Sequence, residues 1–266
     1  MLEKSQELMV GISILAKALN VEKTLIGIEN NKPDAIDKLS KLTGKFKDIS
    51  VQALQVKYPQ GGEKQLIKAL IQREVPSGGL PVDVETVVFN VGTAFAVYEA
   101  VQKNKPLIER IVTVTGKSLK NPSNYRVRIG TNITELIESS GGLPDDTGKI
   151  INGGPMMGKA LSSTDVPVTK GTSGILILKD QESKRKAVEP CIRCSKCISV
   201  CPMGLEPYLL MTLSEKEMFE RLETDRVMDC IECGSCSYIC PAGRPLLDYI
   251  RHGKSNVGKI IRTRKK

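Results

Sequence analysis

All eight cysteines of this 266-residue chain fall in two copies of one short pattern. The first copy, "CIRCSKCISVCP", runs Cys191, Cys194, Cys197, Cys201 and Pro202. The second, "CIECGSCSYICP", runs Cys230, Cys233, Cys236, Cys240 and Pro241. Each reads C-x2-C-x2-C-x3-C-P, the spacing that wraps three thiolates around one [4Fe–4S] cubane and sends the fourth to a neighbouring cubane. The spacing therefore assigns Cys191, Cys194, Cys197 and Cys240 to one cluster, and Cys230, Cys233, Cys236 and Cys201 to the other. The closing proline turns the chain away without adding a competing N–H. Structural zinc closes with two C-x2-C pairs around four ligands, and disulfides need an oxidising compartment, so both fit this pattern less well.

Most of the rest of the chain must fold around aliphatic cores, because aromatic residues make up 4% and tryptophan is absent. No apolar run is long enough to span a bilayer. The N-terminal "MLEKSQELMVGISILAKALN" lacks the basic start of a secretory signal. The formal charge is +9, which two oxidised clusters with their thiolates would lower to about +5. That surplus favours acidic partners or anionic lipid. Arg251 to Lys266 holds seven basic residues and no acids. It reads as solvated surface or as a docking segment for an acidic electron partner. No nucleic-acid motif accompanies it.

The hydrophobic pattern divides the chain into three, an α/β and α+β multidomain arrangement. Residues 1–105 alternate helix and strand: strands at "KTLIGIE", "ISVQALQV" and "VETVVFNV" are separated by amphipathic helices. Such βα units imply a sheet with parallel pairing and helices against it. Residues 106–180 form short strands around one helix, "NITELIESSGG", with Asn132 and Glu135 in capping-box positions and Gly141 at its end. One helix among short strands suits a β-grasp. Residues 181–266 read as a charged linker and then an all-helical two-cluster module, with 28 residues (202–229) between the quartets. The single histidine, His252, lies in the last of these helices and is expected at its surface.

"KYPQGGEKQLIKAL" places Gly61 and Gly62 directly before a helix, whose exposed amides suit a phosphate or a flavin edge. "TVVFNVGTAF" ends the third expected strand with Asn90, Gly92 and Thr93, and open α/β sheets bind ligands at such strand ends. A Gly-Gly turn alone is a weak signal.

Together, the doubled quartet after "NGGPMMGKAL", with "YPQGGEKQL" and "FNVGT" upstream, resembles the C subunits of bacterial Rnf electron-transport complexes over essentially the whole chain. The upstream segments also resemble the flavin-carrying, NADH-oxidising subunit of respiratory complex I. The resemblance implies that Tyr58, Gly61, Gly62, Glu63, Asn90 and Thr93 line FMN and NADH, and that residues 110–142 belong to a soluble-ligand-binding β-grasp. It also implies that electrons pass between NAD(H) and ferredoxin through FMN and two [4Fe–4S] clusters, while other subunits of the complex move ions. The location implied is the cytoplasmic face of the membrane, without a span of its own. Lys64 stands where the complex I segment has a second acid. A glycine-rich flavin loop of the GGAGFPT kind is expected ahead of this region and does not occur in the 266 residues. The chain alone is accordingly expected to bind FMN weakly or not at all and to be incompetent as an enzyme. A corrinoid reductase of the microcompartment type and a non-enzymatic iron–sulfur wiring module are the alternative readings.

Overall fold

A computed structural model describes residues 1–46 and 48–264, and they form two compact units, Met1–Leu107 and Ile108–Lys266. In the first, the elements run α1 (Ser5–Leu19), β1 (Thr24–Glu29), α2 (Pro33–Thr43), β2 (Ile49–Leu54), α3 (Glu63–Ile71) and α4 (Val91–Lys103). β1 and β2 pair in parallel, from Thr24 opposite Ile49 to Glu29 opposite Leu54. Side chains alternate across a strand, and the burial follows. Ile26 and Ile28 join Leu8, Met9 and Ile12 of α1 and Leu39 of α2 in one core. Gly27 faces the other way, where an added Cβ would meet Leu54, Leu66 and Leu70 within 3.4 Å. Helices thus cover both faces of the parallel pair, as the βα alternation implied. Pro33 occupies the first turn of α2, where its missing N–H costs nothing.

The third expected strand does not form. Pro81–Val84 is a 3-10 turn, and residues 86–90 run without a ladder partner among the described residues. Val87 and Phe89 remain exposed. The segment has strand-forming composition, but a strand also needs a neighbour for its N–H and C=O groups, and β1 and β2 pair only with each other.

The second unit opens with a five-stranded sheet of β3 (Glu109–Gly116), β4 (Ser123–Arg128), β5 (Thr147–Asn152), β6 (Lys159–Ala160) and β7 (Gly174–Lys179), with spatial order β4-β3-β7-β5-β6. β7 lies parallel to β3 and antiparallel to β5. The helix α5 (Ile133–Ser139) packs on this mixed sheet, with Ile133, Leu136 and Ile137 against Val112, Val114, Ile175 and Ile177. The β-grasp pattern expected for this stretch is present. The Asn132 side chain accepts the Thr134 N–H at 2.9 Å, and Glu135 accepts the Asn132 N–H at 3.4 Å. After α5, Gly141 and Gly142 take left-handed backbone at φ 99° and 82°, which stops the helix.

The remaining elements are helices: α6 (Asp180–Ser183), α7 (Lys196–Ser199), α8 (Pro207–Glu215), α9 (Phe219–Thr224), α10 (Ser235–Ile239) and α11 (Leu246–Arg264). Leu210, Leu213, Leu222, Leu246, Ile250 and Val257 form their core. The basic C-terminal segment is helical from Arg251 to Arg264, as part of α11. Three of its cations are engaged: Arg251 and Lys254 with Glu232, and Arg264 with Glu223. Lys265 and Lys266 lie outside the described residues. His252 is exposed, its ring centroid 6.3 Å from that of Phe219.

Candidate metal centres

The two cysteine loops repeat one backbone conformation. In the first, Arg193 and Ser195 have φ of 54° and 57°; in the second, the corresponding Glu232 and Gly234 have 57° and 82°. Left-handed residues at these alternating positions curl each loop around a centre, the kind of turn whose amides point inward. In the second loop the Glu232 N–H donates to Cys230 Sγ at 3.4 Å. Each loop then enters a short helix carrying its third cysteine, Cys197 in α7 and Cys236 in α10.

α7 and α10 pack on one another. Because the fourth cysteine of each quartet follows the helix, this packing carries it to the opposite loop. One concavity is lined by Cys191, Cys194, Cys197 and Cys240. The other is lined by Cys230, Cys233, Cys236 and Cys201. The thiol electrostatics follow the same division. Burial pushes Cys236 up to about 12, with Cys230, Cys233 and Cys201 adding to the shift. Burial also raises Cys230, where Cys201 and Cys233 add and the Glu232 amide and Lys254 oppose. Cys197 is raised by burial, and Cys240 adds.

The fit is to a multi-iron group. A single zinc requires four donors about 2.3 Å from one point. Among the described residues no three or more His, Cys, Asp or Glu side chains converge that closely. Instead, four thiols rim each concavity, as suits a group that offers its irons at separate corners.

The surroundings of the two concavities differ. Around Cys201 and the second loop lie Met203, Leu205, Leu210, Leu247 and Ile250, with no charged side chain in the lining. Gly234 comes close to the turn after β5: an added Cβ would lie 3.0 Å from the Met156 carbonyl oxygen. Lys254 donates to the Cys230 carbonyl at 2.5 Å while paired with Glu232 at 3.2 Å, so α11 anchors this loop. Sequence reasoning missed Met156, Lys254 and Glu232, because nothing local marks which helix or turn will lie against a cysteine loop.

The first loop is open: Cys191 and Cys194 are exposed, whereas Cys233 and Cys236 are buried. Thiol alkylation proceeds through the thiolate. In the metal-free chain, iodoacetamide should therefore modify Cys191 and Cys194 first and Cys236 last. A thiol held at about 12 has roughly a thousandfold fewer thiolates at neutral pH than an ordinary one. The fold thus favours the protonated Cys236. That contribution is complete below the ordinary thiol pKa and is lost as pH rises toward 12. Peptide mapping at about pH 7 and about pH 9.5, either side of the ordinary thiol pKa, tests this. Equal labelling of Cys194 and Cys236 at neutral pH would contradict it.

The flavin candidates lie at two helix starts in the first unit. Gly62 is the N-cap of α3, and Glu63 is its first residue. Gly61 has open space where a Cβ would be, and Tyr58 is 51% exposed. Asn90 is the N-cap of α4, its side chain accepting the Gly92 N–H at 2.8 Å, and Thr93 lies in the first turn. The sequence pattern puts Asn90 and Thr93 at a strand end. They stand instead at a helix N-terminus, since the segment before them has no ladder partner.

Three family models match in order along the chain: the Nuo51 FMN-binding domain over residues 1–99, the SLBB domain over 111–160 and the 4Fe-4S dicluster domain over 180–241. Fold, motifs and matches define an iron–sulfur protein with a flavin-type domain and an SLBB domain. Among known relatives, the C subunit of a proton-translocating ferredoxin:NAD(+) oxidoreductase complex from Clostridium ljungdahlii is 48% identical over 96% of this chain. The C subunit of a Na(+)-translocating ferredoxin:NAD(+) oxidoreductase complex from Acetobacterium woodii is 46% identical over 97%. The C subunit of an ion-translocating oxidoreductase complex from Erwinia tasmaniensis is 43% identical over 98%. Over nearly its whole length the chain is similar to these C subunits. It spans 56% and 58% of the length of the first two relatives. No helix among the described residues is long and apolar enough to cross a membrane.

Proposed function

We propose that this chain is an electron-transfer part of a membrane-associated ferredoxin:NAD oxidoreductase complex, on the cytoplasmic face. In it, other subunits couple electron flow between NAD(H) and ferredoxin to ion movement. The observation that carries the reading is the sorting of the eight cysteines, three from one loop and one from the other, into two concavities within a chain that opens on an FMN-type domain. In this reading residues 1–105 serve the flavin and nucleotide, 106–180 form the β-grasp, and 181–266 hold two [4Fe–4S] clusters.

The bound groups supply one-electron storage and, at the flavin, exchange with a two-electron carrier. The chain supplies the rest. Cys191, Cys194, Cys197 and Cys240 hold one cluster, and Cys230, Cys233, Cys236 and Cys201 hold the other. The apolar lining and the Met156 turn keep water from the second. Gly61 and Gly62 form the turn that starts α3, with Tyr58 beside them; the Gly62 N–H closes that turn on the Pro59 carbonyl at 2.8 Å, so Gly61 and the first α3 residues face the ligand. Asn90 and Thr93 present polar groups at the start of α4, and Glu63 serves the nicotinamide side.

Anaerobic purification followed by iron, sulfide and flavin analysis tests this. About eight irons and eight labile sulfides per chain are expected from two cubanes. Bound zinc without labile sulfide would overturn the cluster reading. Because the wall formed at Gly61 and Tyr58 is open, the 266-residue chain by itself should retain FMN weakly or not at all and leave NADH unoxidised. Tight stoichiometric FMN would show instead that these residues form a complete pocket.

A further inference from the structure

The two cysteine concavities share a ligand pattern but not a surface. The one around Cys201 has no charged lining residue and lies under the Met156 turn. The one around Cys240 is rimmed by three cations, Arg193, Lys196 and Arg244, and by no acid. None of the three has an ion-pair partner among the described residues. Arg244 makes only a long contact to Met211 Sδ, at 3.9 Å. Glu206 stands at the margin, accepting the Tyr208 hydroxyl at 3.1 Å. Apolar groups are exposed in the same rim: Ile192 is 68% and Tyr208 41% exposed.

We infer that this rim is the docking face for an acidic protein carrying its own redox centre, and that the Cys191 loop is the port through which electrons enter or leave the chain. The inference rests on the reading that clusters occupy both concavities. Electron tunnelling falls steeply with distance, so the exposed loop, carrying Cys191 and Cys194, is the one a partner can approach closely. An apolar patch ringed by one sign of charge is how a transient redox partner is recognised: the charge steers the encounter, and the apolar contact holds it briefly. Unpaired cations select carboxylates on the partner.

The test uses the anaerobically reconstituted chain and a reduced acidic ferredoxin as probe. Electron exchange is followed by stopped-flow absorbance at low and high ionic strength, and binding by calorimetry. Two double variants are compared with the parent: Arg193→Asn/Lys196→Gln at the proposed face, and Lys159→Gln/Arg262→Gln in the basic crevice along α11 near Glu232. Both remove two charges. The first should slow exchange about tenfold at low salt, weaken binding and flatten the salt dependence, since steering contributes between about ten- and a thousandfold to such rates. The second should stay near the parent. Iron and sulfide analysis of each protein reports separately on cluster content, and calorimetry reads docking whether or not electrons transfer. Equal losses in both variants would reduce the effect to net charge and overturn the assignment. So would unchanged rates and affinities in the first variant. Binding to anionic vesicles that depends on Arg193 and Lys196, with no binding to the ferredoxin, would overturn it in favour of a lipid surface.

Discussion

Cys201→Ser should leave the chain with about four irons in place of about eight, and the cluster lost should be the one at the other loop, which starts 29 residues further on. Cys201 lines the concavity of Cys230, Cys233 and Cys236, and its charge adds to the raised pKa of both Cys230 and Cys236. Serine keeps the size of the side chain but replaces the soft thiolate with a much weaker ligand for iron. Electron paramagnetic resonance of the reduced protein assigns the loss. The Cys201→Ser spectrum should match that of Cys233→Ser and differ from that of Cys194→Ser. Cys240→Ser should do the reverse. A Cys201→Ser spectrum matching that of Cys194→Ser would mean that each quartet holds its own cluster, and the crossed arrangement would be wrong.

Gly11→Ala should destabilise the first unit even though the position is helical. In an unconstrained helix interior, alanine is favoured over glycine by about 1 kcal/mol. At Gly11 the added Cβ would lie 2.0 Å from the Ala94 carbonyl oxygen and 2.9 Å from its carbon, with Tyr98 Cβ at 3.2 Å. The first two atoms are backbone of α4 and cannot rotate away, so α1 and α4 must separate and open the core around Leu8, Met9 and Ala94. Overpacking of this kind costs about 1–3 kcal/mol, occasionally more. Urea unfolding of the chain should show a lower midpoint for the transition of this unit. A raised midpoint would mean that helix propensity prevails and that the two helices are not in backbone contact.

Whatever depends on near neighbours along the chain was legible in the amino-acid order. The quartet spacing set which three cysteines curl around one centre and placed the fourth just past a short helix, whose packing against its counterpart brings it to the other loop. The capping box of Asn132 and Glu135 and the proline start of α2 were legible for the same reason: each is satisfied within one turn. Parallel pairing of β1 and β2 followed from the helix that must connect them. What depends on which surfaces meet came from the packing of distant elements. Val87 and Phe89 have the composition of a strand but found no ladder partner. The basic segment carries no acid of its own, yet Arg251, Lys254 and Arg264 are neutralised by carboxylates 19 to 41 residues away. Two nearly identical cysteine motifs ended in opposite environments, one under an apolar lid and one in an open cationic rim. Ligand spacing is a short-range property of the backbone, whereas burial and charge pairing are set by the elements packed around it.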